Sequence, residues 1–179
     1  MDGLGRSVAG SRVWFMDAGG GCYGEELVAV LSAATAALRD LPARVHRLTG
    51  GDLDAAVEVT LRTWVDGPRR SPDDVDPEVR ARVAEMQKRA YELQIPVWET
   101  AEEEPLVGDL AERIGEVGAP TLVLVGEEDV PDMHEIADRL ERELPNARRA
   151  SIADTAHVPS LERPREFDQL VLPFLQSAQ

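Results

Sequence analysis

Asp129 and His157 are the two side chains whose types and settings best suit them to chemistry. Each lies in a loop that follows a strand-like run: Gly126-Glu127-Glu128-Asp129-Val130-Pro131-Asp132 and Ala153-Asp154-Thr155-Ala156-His157-Val158-Pro159. A carboxylate beside an imidazole fixes the ring tautomer and stabilises imidazolium, and the other ring nitrogen is then left as a general base. Asp also favours turns, and a loop histidine can serve to cap a helix, so chemistry requires elements that bring the two loops together. A base also needs a nucleophile to activate. Ser7, inside Gly5-Arg6-Ser7-Val8-Ala9-Gly10, is the seryl candidate; Ser11 has no better claim. Cys22 follows a glycine-rich turn and could act as a thiol nucleophile, but a lone cysteine of this kind reads better as a small buried side chain. Glu127, Glu128, Asp129, Asp132 and His134 crowd one short stretch and offer hard oxygens with one imidazole to a divalent cation. No recognised ligand spacing supports such a site, so the expectation is a solvated acidic loop, with no metal and no cofactor. His46 lies in a polar linker without a partner to name.

The elements that must position these groups follow from pattern. Thr121-Leu122-Val123-Leu124-Val125 is a continuous β-branched and leucine run, as in a parallel strand covered on both faces. A helix is predicted over 133–144, with Asp132 a candidate N-cap, then a weaker strand over 148–152 and a last helix from near Pro164. Strand, helix, strand, helix implies a parallel sheet, and in such sheets functional groups gather at the carboxyl ends of the strands. Neighbouring strands would set Asp129 and His157 side by side. Upstream, Val13-Trp14-Phe15-Met16 reads as a buried strand closed by a glycine turn. Helical spacing recurs over 25–39 and over about 52–65. Asp76-Pro77 opens a third helix, with Asp as N-cap, which Pro96 stops; 99–105 is an acidic loop, and a short helix is predicted near 109–117.

Two of these stretches resemble a known family. The run from Ala119 to Asp129 looks like the seventh strand and acid loop of α/β-hydrolases, and Ala156-His157-Val158-Pro159-Ser160-Leu161-Glu162-Arg163-Pro164 looks like their histidine loop and the entry to the last helix. The resemblance implies that Asp129 is the triad acid and His157 the triad base, and that the activity is hydrolysis of esters, lactones or related small acyl substrates. In that mechanism a serine attacks the carbonyl, the histidine takes its proton and the aspartate orients the histidine. By the same resemblance Val13 to Asp17 is the sixth strand, and the helices from Glu25 to about Leu93 are the inserted cap. Trp64, Met86, Tyr91 and Trp98 then either line an acyl pocket or form the packing stripe of a helical subdomain. The family's nucleophile stands on a G-x-S-x-G turn upstream of the sixth strand. The segment around Ser7 imitates that turn, with Ala9 in place of the second Gly, but only six residues precede Ser7 and Val13 already begins the next strand. The expectation is therefore a hydrolase segment with acid and base but without its nucleophile or oxyanion-hole loop. The rival expectation is a catalytically inactive binding or interaction module, the remnant of a truncated hydrolase.

The fold class expected is α/β: a partial α/β-hydrolase fold, with a small, mostly parallel sheet of about three strands, flanking helices and a helical cap-like insertion. Residues 1–12 read as an irregular leader, 13–23 as the first strand and turn, 24–105 as the cap-like region and 106–179 as the C-terminal core segment. A net charge of −15 repels phosphate backbones and anionic lipid, so nucleic acid and membranes are not expected partners. A single cysteine excludes an internal disulfide and a cysteine-based zinc cluster. With no apolar run long enough for a membrane span and no signal-like start, a cytoplasmic location is expected. A three-stranded sheet would leave an edge that a second copy or a complementing subunit must cover.

Overall fold

The computed structural model describes residues 49–97 and 113–177. The leader, the strand expected at 13–16, the helix over 25–39, the acidic loop, and Ser7, Ser11, Cys22, His46 and Trp98 lie outside the described residues.

The described chain opens with a pair of helices. Helix α1, Leu53–Leu61, starts where Asp52 accepts a hydrogen bond from the Ala55 N–H at 3.0 Å. Helix α2, Pro77–Gln94, starts at Asp76, whose carboxylate accepts from the Glu78 N–H at 2.8 Å, with Pro77 at the first helical position as expected. Val83 and Tyr91 of α2 pack on Ala56, Val57 and Leu61 of α1, and the Tyr91 hydroxyl meets the Thr60 hydroxyl at 2.7 Å. The helix expected over 52–65 does not continue as α. After Leu61 it widens into a π-turn, Arg62–Asp66, that ends at Gly67 with φ 75° and ψ 177°. Thr60 and Thr63 each donate a hydroxyl to the carbonyl one turn back, competition that often bends a helix.

The turn carries Asp66 into the interior, where it is fully buried. Arg80 reaches it through Nε at 3.1 Å, and Arg62 through Nη1 at 3.1 Å. The hydrogen bond to Asp66 raises the Arg80 pKa above its ordinary value, against the opposing effect of burial. Asp66→Ala would leave Arg80 without its main partner, and breaking a buried pair on one side costs about 3–5 kcal/mol. Urea unfolding should show a lower midpoint at unchanged slope; a midpoint equal to that of the native chain would rule out a stabilising role for this pair.

The remainder is a strand–helix–strand unit. Strands β1, Thr121–Gly126, and β2, Ala147–Ile152, form a parallel pair in register from Thr121 opposite Ala147 to Gly126 opposite Ile152. Parallel neighbours require a crossover, supplied by helix α3, Pro131–Glu143. Met133, Ala137 and Leu140 of α3 pack on Val123 and Val125 of β1, with Ile114 and Leu144 closing the cluster. A short helix α4, Pro159–Glu162, leads into α5, Pro164–Ser177.

Three boundaries differ from expectation. Helix α3 begins at Pro131, with Val130 as a cap that makes no side-chain hydrogen bond, so Asp132 sits in the first turn rather than at the N-cap. Pro131 sets the start because its fixed φ suits the first helical position and its missing N–H costs nothing there. Strand β2 begins one residue early, at Ala147. Of the helix expected near 109–117, the described residues hold only a 3₁₀ turn, Ile114–Glu116, which Gly118 and Pro120 prevent from lengthening. Among the described residues the sheet has two strands, and no helix is long and apolar enough to cross a membrane.

Candidate active site

Both candidate loops leave the same end of the parallel pair. Gly126 closes β1 against the second loop so tightly that a Cβ there would strike the carbonyl oxygens of Thr155 and Ala156. The ladder then runs on: Glu127 N–H donates to the Ile152 carbonyl at 3.1 Å and Glu128 N–H to the Thr155 carbonyl at 2.8 Å. Asp129 N–H turns back to the Gly126 carbonyl at 3.2 Å, which folds the Asp129 side chain inward. In the second loop Asp154 adopts φ 56°, a left-handed conformation that aspartate tolerates better than most residues. Thr155, fully buried, donates its hydroxyl to the Ile152 carbonyl at 2.9 Å. The chain is thereby turned so that His157 faces back over Asp129.

The result is a defined dyad. Asp129 Oδ2 lies 2.8 Å from His157 Nδ1, and Asp129 Oδ1 accepts the Val130 N–H at 2.8 Å. The Asp129 carboxyl is almost wholly buried, whereas the His157 side chain keeps 15% exposure. An ionised carboxylate only accepts, so the short contact calls for a proton on Nδ1, and in the neutral ring the lone pair is then on Nε2. Nε2 has no hydrogen-bond partner among the described residues. A neutral ring held in this way presents Nε2 as a proton acceptor.

The helical pair reaches the dyad through its π-turn. The Trp64 carbonyl accepts the His157 N–H at 3.0 Å, and the indole lies 4.7 Å from the imidazole, centroid to centroid, tilted by 49°. Of the four residues expected either to line a pocket or to form a packing stripe, Trp64 touches the dyad, while Tyr91 is buried between the helices and Met86 is exposed. Arg69 donates to the Glu127 carbonyl at 2.5 Å and pairs with the Glu128 carboxylate at 2.9 Å.

The acidic stretch separates rather than converging. Glu128 is taken by Arg69, Glu127 accepts from the Ser151 hydroxyl at 3.4 Å, and His134 Nδ1 faces Arg149 Nη2 at 3.2 Å. Among the described residues no three His, Cys, Asp or Glu side chains come together to hold a metal ion. Nor does any described serine hydrogen-bond to His157. The contacts of Trp64 with His157, of Arg70 with the Asp154 carbonyl and of Glu162 with the Ala156 N–H hold the histidine loop and were not foreseen from the sequence. The only signal was that Glu162 lies inside the His157-containing stretch.

No family model matches the sequence. Solved structures do match in fold. MenH from S. aureus superposes with a TM-score of 0.52 at 21% identity, over 89% of this chain and 56% of its own. A thermophilic esterase from Thermogutta terrifontis gives 0.56 at 24% identity, over 82% and 51%. Est816, described as an N-acyl homoserine lactone degrading enzyme, gives 0.52 at 26% identity, over 73% and 50%. The chain carries part of the α/β-hydrolase fold. It spans about half the length of these α/β-hydrolase structures. The parallel pair, its crossover helix and the flanking helices are the part of that fold present among the described residues.

Proposed function

We propose that this chain supplies the acid–base pair of a hydrolytic site for esters, lactones or related small acyl compounds. His157 is the base and Asp129 the group that orients it. The observation that carries this reading is the 2.8 Å contact between a buried Asp129 oxygen and His157 Nδ1, with the second oxygen held by the Val130 N–H and Nε2 without a partner among the described residues. In an acyl transfer, Nε2 would accept the nucleophile's proton during attack on the carbonyl and return it to the leaving oxygen. The Asp129 carboxylate would stabilise the imidazolium formed between these steps. The nucleophile belongs to residues outside those described, Ser7 being the seryl candidate. The helical pair would act as a cap, with Trp64 as one wall beside the reacting groups. The fold neighbours that are esterases, and the one described as degrading N-acyl homoserine lactones, support the substrate class.

A second reading, a non-catalytic binding or interaction module, is favoured by the absence of any described serine hydrogen-bonded to His157. Hydrolysis of a short-chain p-nitrophenyl ester by the purified chain separates the two. The expected result is turnover above buffer that falls about 10²- to 10⁴-fold in His157→Ala, the contribution usual for a positioned base. Parallel loss in Ser7→Ala would identify the nucleophile; activity retained there would assign the attack to water or another group that His157 activates. A folded chain with no turnover, or turnover indifferent to His157→Ala, would overturn the hydrolytic reading and leave the interaction module.

A further inference from the structure

Arg70 lies in the loop after the π-turn, and its guanidinium is committed on every side. Nε donates to the Asp66 carbonyl at 2.9 Å and Nη2 to the Val65 carbonyl at 2.6 Å, which fix it to the end of the turn that carries Trp64. Nη1 faces the other way: it donates to the Asp154 carbonyl at 2.7 Å and pairs with Glu162 Oε2 at 2.8 Å. The other Glu162 oxygen accepts the Ala156 N–H, the peptide just before His157, at 2.8 Å. The Arg70 and Glu162 side chains are only 11% and 5% exposed, so solvent cannot replace these contacts. One planar cation thus bridges the helical pair to both flanks of the histidine loop.

We propose that Arg70, acting through Glu162, is a positioning residue for His157. This rests on the reading of His157 as the base. The physical reason is rigidity: the imidazole is aimed by the backbone leading into it, and that backbone is held at Asp154, at Ala156 and, through the Trp64 carbonyl, at His157 itself. A fork of fixed N–H directions can satisfy several acceptors in one plane; an ammonium, a point charge on a flexible stem, cannot. The Asp129–His157 contact therefore depends on a residue that touches neither side chain.

The test is NMR on the ¹⁵N-labelled full chain, comparing the wild type with Arg70→Lys and Glu162→Gln. Arg70→Lys keeps the charge but not the fork, and Glu162→Gln keeps the size but turns one carboxylate oxygen into a donor and removes the charge. In either variant, amide exchange at Ala156 and His157 should accelerate by roughly tenfold or more, the factor expected for losing a charge-assisted hydrogen bond. The His157 Nδ1 proton should exchange faster as well. Amides of β1, such as those of Val123 and Val125, should keep their protection, a contrast that general destabilisation would not give. Unchanged exchange at Ala156 and His157, or an equal loss throughout the strands, would overturn the proposal. The wild-type ring resonances report separately on the base reading. If Nδ1 is not the protonated nitrogen there, that reading fails while the amide comparison still decides whether Arg70 holds the loop. Should one variant fail to fold, the other gives the same contrast.

Discussion

Asp129→Asn is expected to lower ester hydrolysis by about 10⁴-fold while the chain stays folded, the size of effect seen when a triad carboxylate is replaced by its amide. The amide is nearly isosteric, and its oxygen can keep the hydrogen bond from the Val130 N–H. Its NH₂ group then faces His157 Nδ1, where the carboxylate oxygen stood at 2.8 Å. A donor at that position drives the ring proton to Nε2, so the nitrogen that should accept a proton already carries one. The rate loss should therefore lie mainly in kcat, with little change in KM. Rates within about threefold of the wild type would mean that the contact between the two side chains does not set the tautomer that hydrolysis uses.

Gly67→Ala is expected to destabilise the chain by about 3 kcal/mol or more, a large share of the 5–15 kcal/mol typical of a folded domain. Two causes add. At φ 75° and ψ 177° the backbone occupies a region essentially reserved for glycine. A Cβ there would also run into the backbone carbonyl oxygen of Glu128, which cannot swing aside without moving the Asp129 loop. The substitution should thus loosen the seam between the π-turn and the dyad as well as lower the urea midpoint. Gly118→Ala is the control. A Cβ at Gly118 meets nothing within 4 Å, so that change should stay within about 0.5 kcal/mol. Equal midpoints for the two variants would show that the close approach at Gly67 carries no energetic weight.

The parts of the fold that sequence revealed are those set by local pattern. The run from Thr121 to Val125 is β-branched and leucine-rich, lies between Pro120 and an acidic turn, and forms β1 nearly where expected. Asp76-Pro77 signals its helix because the cap and the preset φ act within a few residues. Strand β2 is harder to see. Its sequence, Ala147-Arg148-Arg149-Ala150-Ser151-Ile152, buries only Ile152 fully, so its strand character comes from pairing with β1 more than from its own hydrophobicity. The dyad was legible because two loops at the carboxyl ends of neighbouring parallel strands must meet.

The rest of the site depends on contacts that no local pattern encodes. Arg69, Arg70, Asp66 and Glu162 look like ordinary solvated charges in the sequence. Asp66 and Glu162 are nevertheless deeply buried, because the π-turn sets Asp66 against Arg62 and Arg80, and the short helix after His157 sets Glu162 against Arg70, far back in the chain. The π-turn itself leaves no periodic trace, since one extra residue per turn shifts a pattern that was already short. Trp64 was recognisable as a pocket or packing residue, but not as the neighbour of His157. Conversely, the crowding of Glu127, Glu128, Asp132 and His134 in sequence suggested proximity that the loop and α3 undo by pointing these groups in different directions.

The state of the His157 ring is the most direct test of the account. Two-dimensional ¹H–¹⁵N correlation of the ring nitrogens in the full chain at neutral pH would show which nitrogen carries the proton. The account predicts a protonated Nδ1 and a bare Nε2 in the wild type, with the proton moved to Nε2 in Asp129→Asn. A wild-type ring that mixes both tautomers, or that keeps the same tautomer in Asp129→Asn, would contradict the claim that Asp129 prepares His157 as a base.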